Sequence, residues 1–101
     1  MPVIATKTLK NFTAQIFRAY GLPERTAEVV ADSLVLSNLK GHDSHGVIRI
    51  IDYTSWLPKG WFNLDAEMTV VRDEGMILMI DGDFGFGQVI GRQATQLAID
   101  K

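Results

Sequence analysis

Apolar residues recur at helical spacing through the first half of the chain. Between Thr8 and Tyr20, the residues Leu9, Phe12, Ile16, Phe17 and Tyr20 fall on one face of an amphipathic helix. Thr6 or Thr8 is placed to cap its start, and Gly21 supplies the left-handed position that ends it. Pro23 suits the first turn of a second helix, with Glu24 at its positive end. Ala27, Val30, Ala31, Leu34 and Val35 carry that helix on to Lys40-Gly41. So short a link predicts an antiparallel helical hairpin. A third helix is expected from Asp43 or Ser44, both capping types, to Leu57, with Pro58-Lys59-Gly60 as the turn beyond it.

Beyond Gly60 the period changes. Residues 61–66 read as an extended linker. Met68 to Arg72 and Met76 to Asp81 read as strands, with Asp73-Glu74-Gly75 as the tight turn between them. The second strand, Met76-Ile77-Leu78-Met79-Ile80, is apolar throughout, so it is expected to be covered on both faces. Asp81 to Gly87 is a glycine-rich loop. From Gln88 a fourth helix offers Val89, Ala94, Leu97 and Ala98 as its apolar stripe. The order helix, helix, helix, strand, strand, helix predicts an α+β fold in a single segment, residues 1–60 helical and residues 61–101 a β-hairpin plus a helix.

Composition narrows the function. With 101 residues the chain has the size of one ordinary domain with a modest core. Hydrophobic residues make up 47% and charged residues 22%, which excludes the disordered and fibrous classes. Ten basic residues against twelve acidic ones, scattered without a basic stripe, argue against nucleic acid or an anionic membrane as partner. The absence of cysteine removes disulfide frameworks and thiolate zinc sites and fits a reducing compartment. Met1 to Leu9 lacks the pattern of a secretory signal, and no apolar run approaches the roughly eighteen residues of a membrane helix. A soluble cytoplasmic domain is the expectation.

Reactive side chains concentrate in Gly41-His42-Asp43-Ser44-His45-Gly46, which holds both histidines. On a helix at about 100° per residue, Val47, Ile50, Ile51, Thr54 and Leu57 gather on one side, and His45, Arg49, Asp52, Tyr53 and Trp56 on the other. His45 and Arg49 then stand one turn apart. Histidine transfers protons near neutral pH, and arginine grips a carboxylate with two parallel hydrogen bonds. The pair suits a molecule with a hydroxyl or carbonyl beside a carboxylate. A helix N-terminus at His45 also favours the neutral imidazole.

Plainer readings stand beside this one: His45 as a surface or capping residue, Ser44 as a helix cap, Arg49 and Asp52 as a solvated pair, Tyr53 and Trp56 as a cover for the helices. His42-Asp43-Ser44-His45 offers too few ligands for a closed metal shell, so no metal is expected. Gly85-Phe86-Gly87-Gln88-Val89-Ile90-Gly91 almost matches the dinucleotide fingerprint, but its third glycine comes one residue late, with no parallel strand or acidic partner to follow. It reads as a strand-to-helix turn, not a Rossmann site.

Gly41-His42-Asp43-Ser44-His45-Gly46-Val47, with Arg49 and Tyr53 beyond it, resembles the signature of the type-2 malate/L-lactate dehydrogenase family. These are NAD(P)-dependent 2-hydroxy/2-keto acid oxidoreductases without a Rossmann fold. The likeness extends to the leading helix pair, to Asp81-Gly82 after an apolar strand and to the Gly85-Phe86-Gly87-Gln88 turn. It implies part of that family's fold, a small 2-hydroxy or 2-keto acid as substrate, NAD or NADP as cofactor with most of its site outside this chain, and a homodimer. By the same resemblance His45 is the acid/base, Ser44 stands beside it, Arg49 anchors the substrate carboxylate and Tyr53 lines the pocket. Family members are considerably longer, so the resemblance implies an N-terminal fragment with no dehydrogenase activity alone. The rival expectation is a non-catalytic interaction domain of the same shape, binding through Trp56, Trp61, Phe62 and the hairpin edge.

Overall fold

The computed structural model describes residues 3–101. In chain order it contains α1 (Thr6–Ala19), α2 (Glu24–Leu39), 3-10 turns at Asp43–His45 and Val47–Arg49, α3 (Ile50–Trp56) and a 3-10 turn at Leu57–Lys59. Strands β1 (Thr69–Glu74) and β2 (Ile77–Asp81) and helix α4 (Gly87–Asp100) follow. This is the expected α+β layout. The chain divides into two compact units, one ending at Trp61 and the other running Phe62–Lys101. No helix among the described residues is long and apolar enough to cross a membrane.

In the first unit α1 and α2 form the helical hairpin. Lys10 meets Asp32 at 3.4 Å, and nearer the link Arg18 meets Glu24 at 3.8 Å. The link is a Schellman closure: the Gly21 N–H donates to the Arg18 carbonyl, the Leu22 N–H to that of Phe17, and Gly21 has φ +97°. Leu22, buried, folds back onto the core, which gathers Ala14 and Phe17 from α1 and Ala27, Val30, Ala31, Leu34 and Val35 from α2. Each large side chain so buried contributes about 1.5–3 kcal/mol.

Two details of α1 depart from expectation. Neither threonine caps it; the helix begins with the Leu9 N–H bonded to the Ala5 carbonyl, and Ala5 offers no capping side chain. Its buried face is also rotated: Thr13 and Ala14 lie in the core, while Phe12 and Tyr20 stay 60% and 45% exposed. Small residues let α2 approach closely, and the large rings at the edge of the stripe are displaced to the rim.

In the second unit β1 and β2 pair antiparallel, with a bulge at Val71 between the Val70–Ile80 and Arg72–Met79 pairs. Pairing runs on to Glu74 and Ile77, so the turn is Gly75-Met76 rather than Asp73-Glu74-Gly75. Glycine at φ +55° opens this two-residue loop at no steric cost. Among the described residues β2 lacks the expected double cover: Ile77 and Met79 are 53% and 50% exposed. A two-stranded sheet has too few neighbours to enclose an apolar strand.

The expected linker at 61–66 is instead a turn at its far end, with the Ala66 N–H on the Asn63 carbonyl and the Asp65 N–H on Asn63 Oδ1. Asn63 also holds the β2–α4 loop, through its N–H on the Phe84 carbonyl (3.0 Å) and its Nδ2 on Asp83 Oδ2 (2.9 Å). Asp83 and Phe84 adopt left-handed backbone there (φ 54° and 58°). Phe62 stacks on the buried Phe86 at 4.1 Å, and Lys101 at the end of α4 pairs with Asp73 of β1.

Candidate active site

α2 ends as α1 does. The Gly41 N–H donates to the Asn38 carbonyl and the His42 N–H to that of Ser37 (2.8 Å), so His42 belongs to the helix stop. The chain should then enter one continuous helix, and it does not. Gly46 is extended (φ −94°, ψ −150°) and separates the turn Asp43–His45 from the turn Val47–Arg49. The cause is local. Val47's N–H, which a continuing helix would bond to Asp43's carbonyl, donates to Asn38 Oδ1 at 2.9 Å instead. Asn38 Nδ2 donates to Asp43 Oδ1 at 2.8 Å.

The single catalytic face of an unbroken helix is therefore not the geometry of this site. The helix dipole expected at His45 is absent as well, because a three-residue turn has too few aligned peptides to build one. On the opposite side Ile51 is 73% exposed, so the apolar stripe of the expected helix is broken too.

What joins the candidate residues is a set of short hydrogen bonds around Gly46. Ser44 Oγ lies 2.9 Å from His45 Nδ1. Ser44 does not cap a helix. Arg49 Nε donates to the Ser44 carbonyl at 2.7 Å, and Arg49 Nη1 donates to Asp52 Oδ2 at 2.9 Å. These two bonds use two of the five N–H groups of the guanidinium. Ser44, His45 and Arg49 are all exposed, open to a small molecule from solvent. Tyr53, half-buried, sits in a ladder of rings, 6.1 Å from Phe17 and 5.8 Å from Trp56, which is itself 6.1 Å from Trp61. Of the aromatics named for a partner surface, only Trp61 is exposed, with Lys59 over its ring at 4.6 Å. Trp56 and Phe62 are half-buried in ring contacts.

Asn38 is the residue that the sequence pattern misses. It carries only one recognisable signal, an amide near a helix end with a glycine eight positions on. Asp52 is the exposed ion-pair partner of Arg49 that the spacing suggests. In the second unit a cavity of about 550 Å³ lies between Ala66, Glu67, Met68, Gln93, Gln96 and Leu97; none of Ser44, His45, Arg49 and Tyr53 lines it.

Solved structures of dehydrogenases resemble this chain over nearly its whole length. Malate dehydrogenase from Pyrococcus horikoshii OT3 matches with a TM-score of 0.89 and 39% identity over 96% of this chain and 28% of that one. Sulfolactate dehydrogenase from Methanocaldococcus jannaschii matches with a TM-score of 0.90 and 33% identity over 98% of this chain and 29% of that one. Among curated proteins, malate dehydrogenase of Pyrococcus abyssi is 39% identical over 93 residues, 92% of this chain and 26% of its own length. The family model described as malate/L-lactate dehydrogenase matches residues 4–101, and the chain belongs to that family. It spans roughly a quarter of the length of the relatives it matches.

The described residues do not fit a Rossmann dinucleotide cradle. Such a cradle needs parallel strands joined through a helix, and the sheet here is a two-stranded antiparallel hairpin. Gly85 and Gly87 serve the turn from β2 into α4.

Proposed function

We propose that this chain supplies the proton-transfer and carboxylate-binding part of an NAD(P)-dependent dehydrogenase that interconverts a 2-hydroxy acid and its 2-keto acid. His45 is the acid/base, Ser44 its orienting neighbour, Arg49 the carboxylate anchor and Tyr53 a wall of the pocket. The family supports the reaction class, and the cysteine-free composition supports a reducing cytoplasm. The observation that carries the reading is the double use of Ser44. Its hydroxyl meets His45 Nδ1 at 2.9 Å, and its carbonyl accepts from Arg49 Nε at 2.7 Å.

The protons balance on that contact. With Nδ1–H donating to Ser44 Oγ, the imidazolium presents Nε2–H to the keto oxygen. Once that proton has moved, the ring is neutral, still bonded to Ser44 through Nδ1–H, and Nε2 holds a lone pair. In the oxidative direction the same lone pair takes the hydroxyl proton. Ser44 thus holds one nitrogen so that the other works. Arg49 fixes the substrate by its carboxylate, which leaves the neighbouring oxygen to His45. A bound nicotinamide would supply or take up the hydride at the carbon carrying that oxygen, while His45 handles the proton.

The test is His45→Ala in an enzyme of full family length that carries this segment, assayed by NAD(P)H consumption with a panel of 2-keto acids. Turnover should fall by about 10²- to 10⁴-fold while NAD(P)H still binds in a fluorescence titration. Near-normal turnover, or loss of cofactor binding, would sink the assignment. The 101-residue chain by itself should consume no NAD(P)H with the same panel, and the full-length form should run as a homodimer in light scattering.

A further inference from the structure

We infer that Asn38 is the positioning residue of this site, setting through its carboxamide the direction in which the Ser44–His45 turn presents the imidazole. The inference rests on the acid/base reading of His45.

The amide grips the turn on both sides of the Ser44-His45 pair. Nδ2 donates to Asp43 Oδ1 at 2.8 Å, one residue before the pair, and Oδ1 accepts the Val47 N–H at 2.9 Å, two residues after it. Its orientation has no alternative: a backbone N–H only donates and a carboxylate only accepts. Gly46 completes the grip by having no side chain. A Cβ built there would fall 2.3 Å from Asn38 Oδ1, 2.4 Å from Cγ and 2.5 Å from Nδ2, so the amide fills the space that any other residue at 46 would occupy.

Asn38 is in turn held rigidly. It stands one residue from the end of α2, whose Val30, Ala31, Leu34 and Val35 are at most 2% exposed. Ser44, His45 and Arg49 have no such footing, since all of them are exposed. Position therefore passes from the packed core of the helical hairpin through one side-chain amide into the turn, and from Ser44's carbonyl on to Arg49. Misplacement by about 1 Å is enough to cost about 10²-fold in rate.

The test exploits the chemistry of the grip. Asn38→Asp keeps the shape and the acceptor for Val47 but sets a second carboxylate against Asp43. The double change N38D/D43N swaps donor and acceptor and restores the bond, and D43N alone keeps an acceptor for Nδ2. In the 101-residue chain, N38D should move the ring ¹⁵N and ¹³C signals of His45, D43N should leave them near wild type, and N38D/D43N should return them. In an enzyme of full family length, N38D should lower kcat by about 10- to 100-fold with cofactor affinity unchanged, and the swap should recover most of it. G46A, pressing a methyl onto the amide, should reproduce the N38D shifts from the other side.

Unmoved His45 signals in both N38D and G46A overturn the inference. So does a loss of helical circular dichroism in N38D that the swap fails to reverse. If His45→Ala keeps its turnover, the acid/base reading falls while the ring signals still decide the positioning claim. If His45→Ala is dead and N38D has wild-type signals and kcat, only the positioning claim falls.

Discussion

Arg49 and Asp52 are joined by a 2.9 Å hydrogen bond from Nη1 to Oδ2, although their side chains are 45% and 39% exposed. So exposed a pair adds little to stability, about 0.2–1 kcal/mol. If Arg49 anchors the substrate carboxylate as proposed, Asp52 competes with that carboxylate for the guanidinium. In an enzyme of full family length, Asp52→Asn is expected to lower KM for the 2-keto acid by up to about fivefold, with kcat little changed. Arg49→Lys, which replaces a planar fork by a point charge, is expected to raise KM about tenfold or more. Steady-state kinetics on both variants checks the pair; an unchanged KM in the lysine variant removes Arg49 from carboxylate binding.

Ser44→Ala removes the hydroxyl 2.9 Å from His45 Nδ1 and leaves the backbone bond to Arg49 in place. The expected result is a fall in kcat of about tenfold, the worth of one hydrogen bond, with KM nearly constant. A fall as deep as that of His45→Ala would mean that Ser44 itself takes part in the chemistry.

Thr13 is fully buried between the helices of the first unit, and its Oγ1 has no hydrogen-bond partner. Thr13→Val exchanges a stranded hydroxyl for a methyl of the same shape. Urea unfolding followed by circular dichroism should show a gain of about 1 kcal/mol. A loss would show that the hydroxyl has a partner in solution.

Phe17 is 0% exposed and its ring stands against Tyr53. Phe17→Ala should cost about 3–5 kcal/mol, enough to consume most of the stability of a small domain. Gly91, inside α4 with nothing within 4 Å of an added Cβ, is the counter-case: Gly91→Ala should stabilise by about 0.5–1 kcal/mol. The same urea titration measures both, and a stabilised Phe17→Ala or a destabilised Gly91→Ala contradicts the packing described.

The helix pair was legible because its information is local. The 3.6-residue period and the glycine stop sit within the segment they describe. In α1 the cap and the phase differ from the pattern: neither threonine caps the helix, and Thr13 and Ala14 are buried by the approach of α2 and not by their own hydropathy. The third helix was illegible for the opposite reason. Its pattern is helical throughout, and what breaks it is a side chain nine positions earlier that takes the N–H of Val47. The candidate site residues could be picked out by type and spacing, yet the way they are joined could not. A helical wheel put His45 and Arg49 on one face, whereas the carbonyl of Ser44 is what ties Arg49 to the turn. The β-hairpin was legible as a hairpin but not in register, because glycine preferred the first place of a two-residue loop.

The two outer edges of that hairpin are unlike. β1 carries the Val71 bulge and the charges of Arg72, Asp73 and Glu74, both of which discourage another strand from pairing there. β2 runs Ile77-Leu78-Met79-Ile80 with no charge before Asp81. The hairpin is thus one-sided in its adhesiveness, and a further strand that lengthens this sheet meets its lower barrier beside β2.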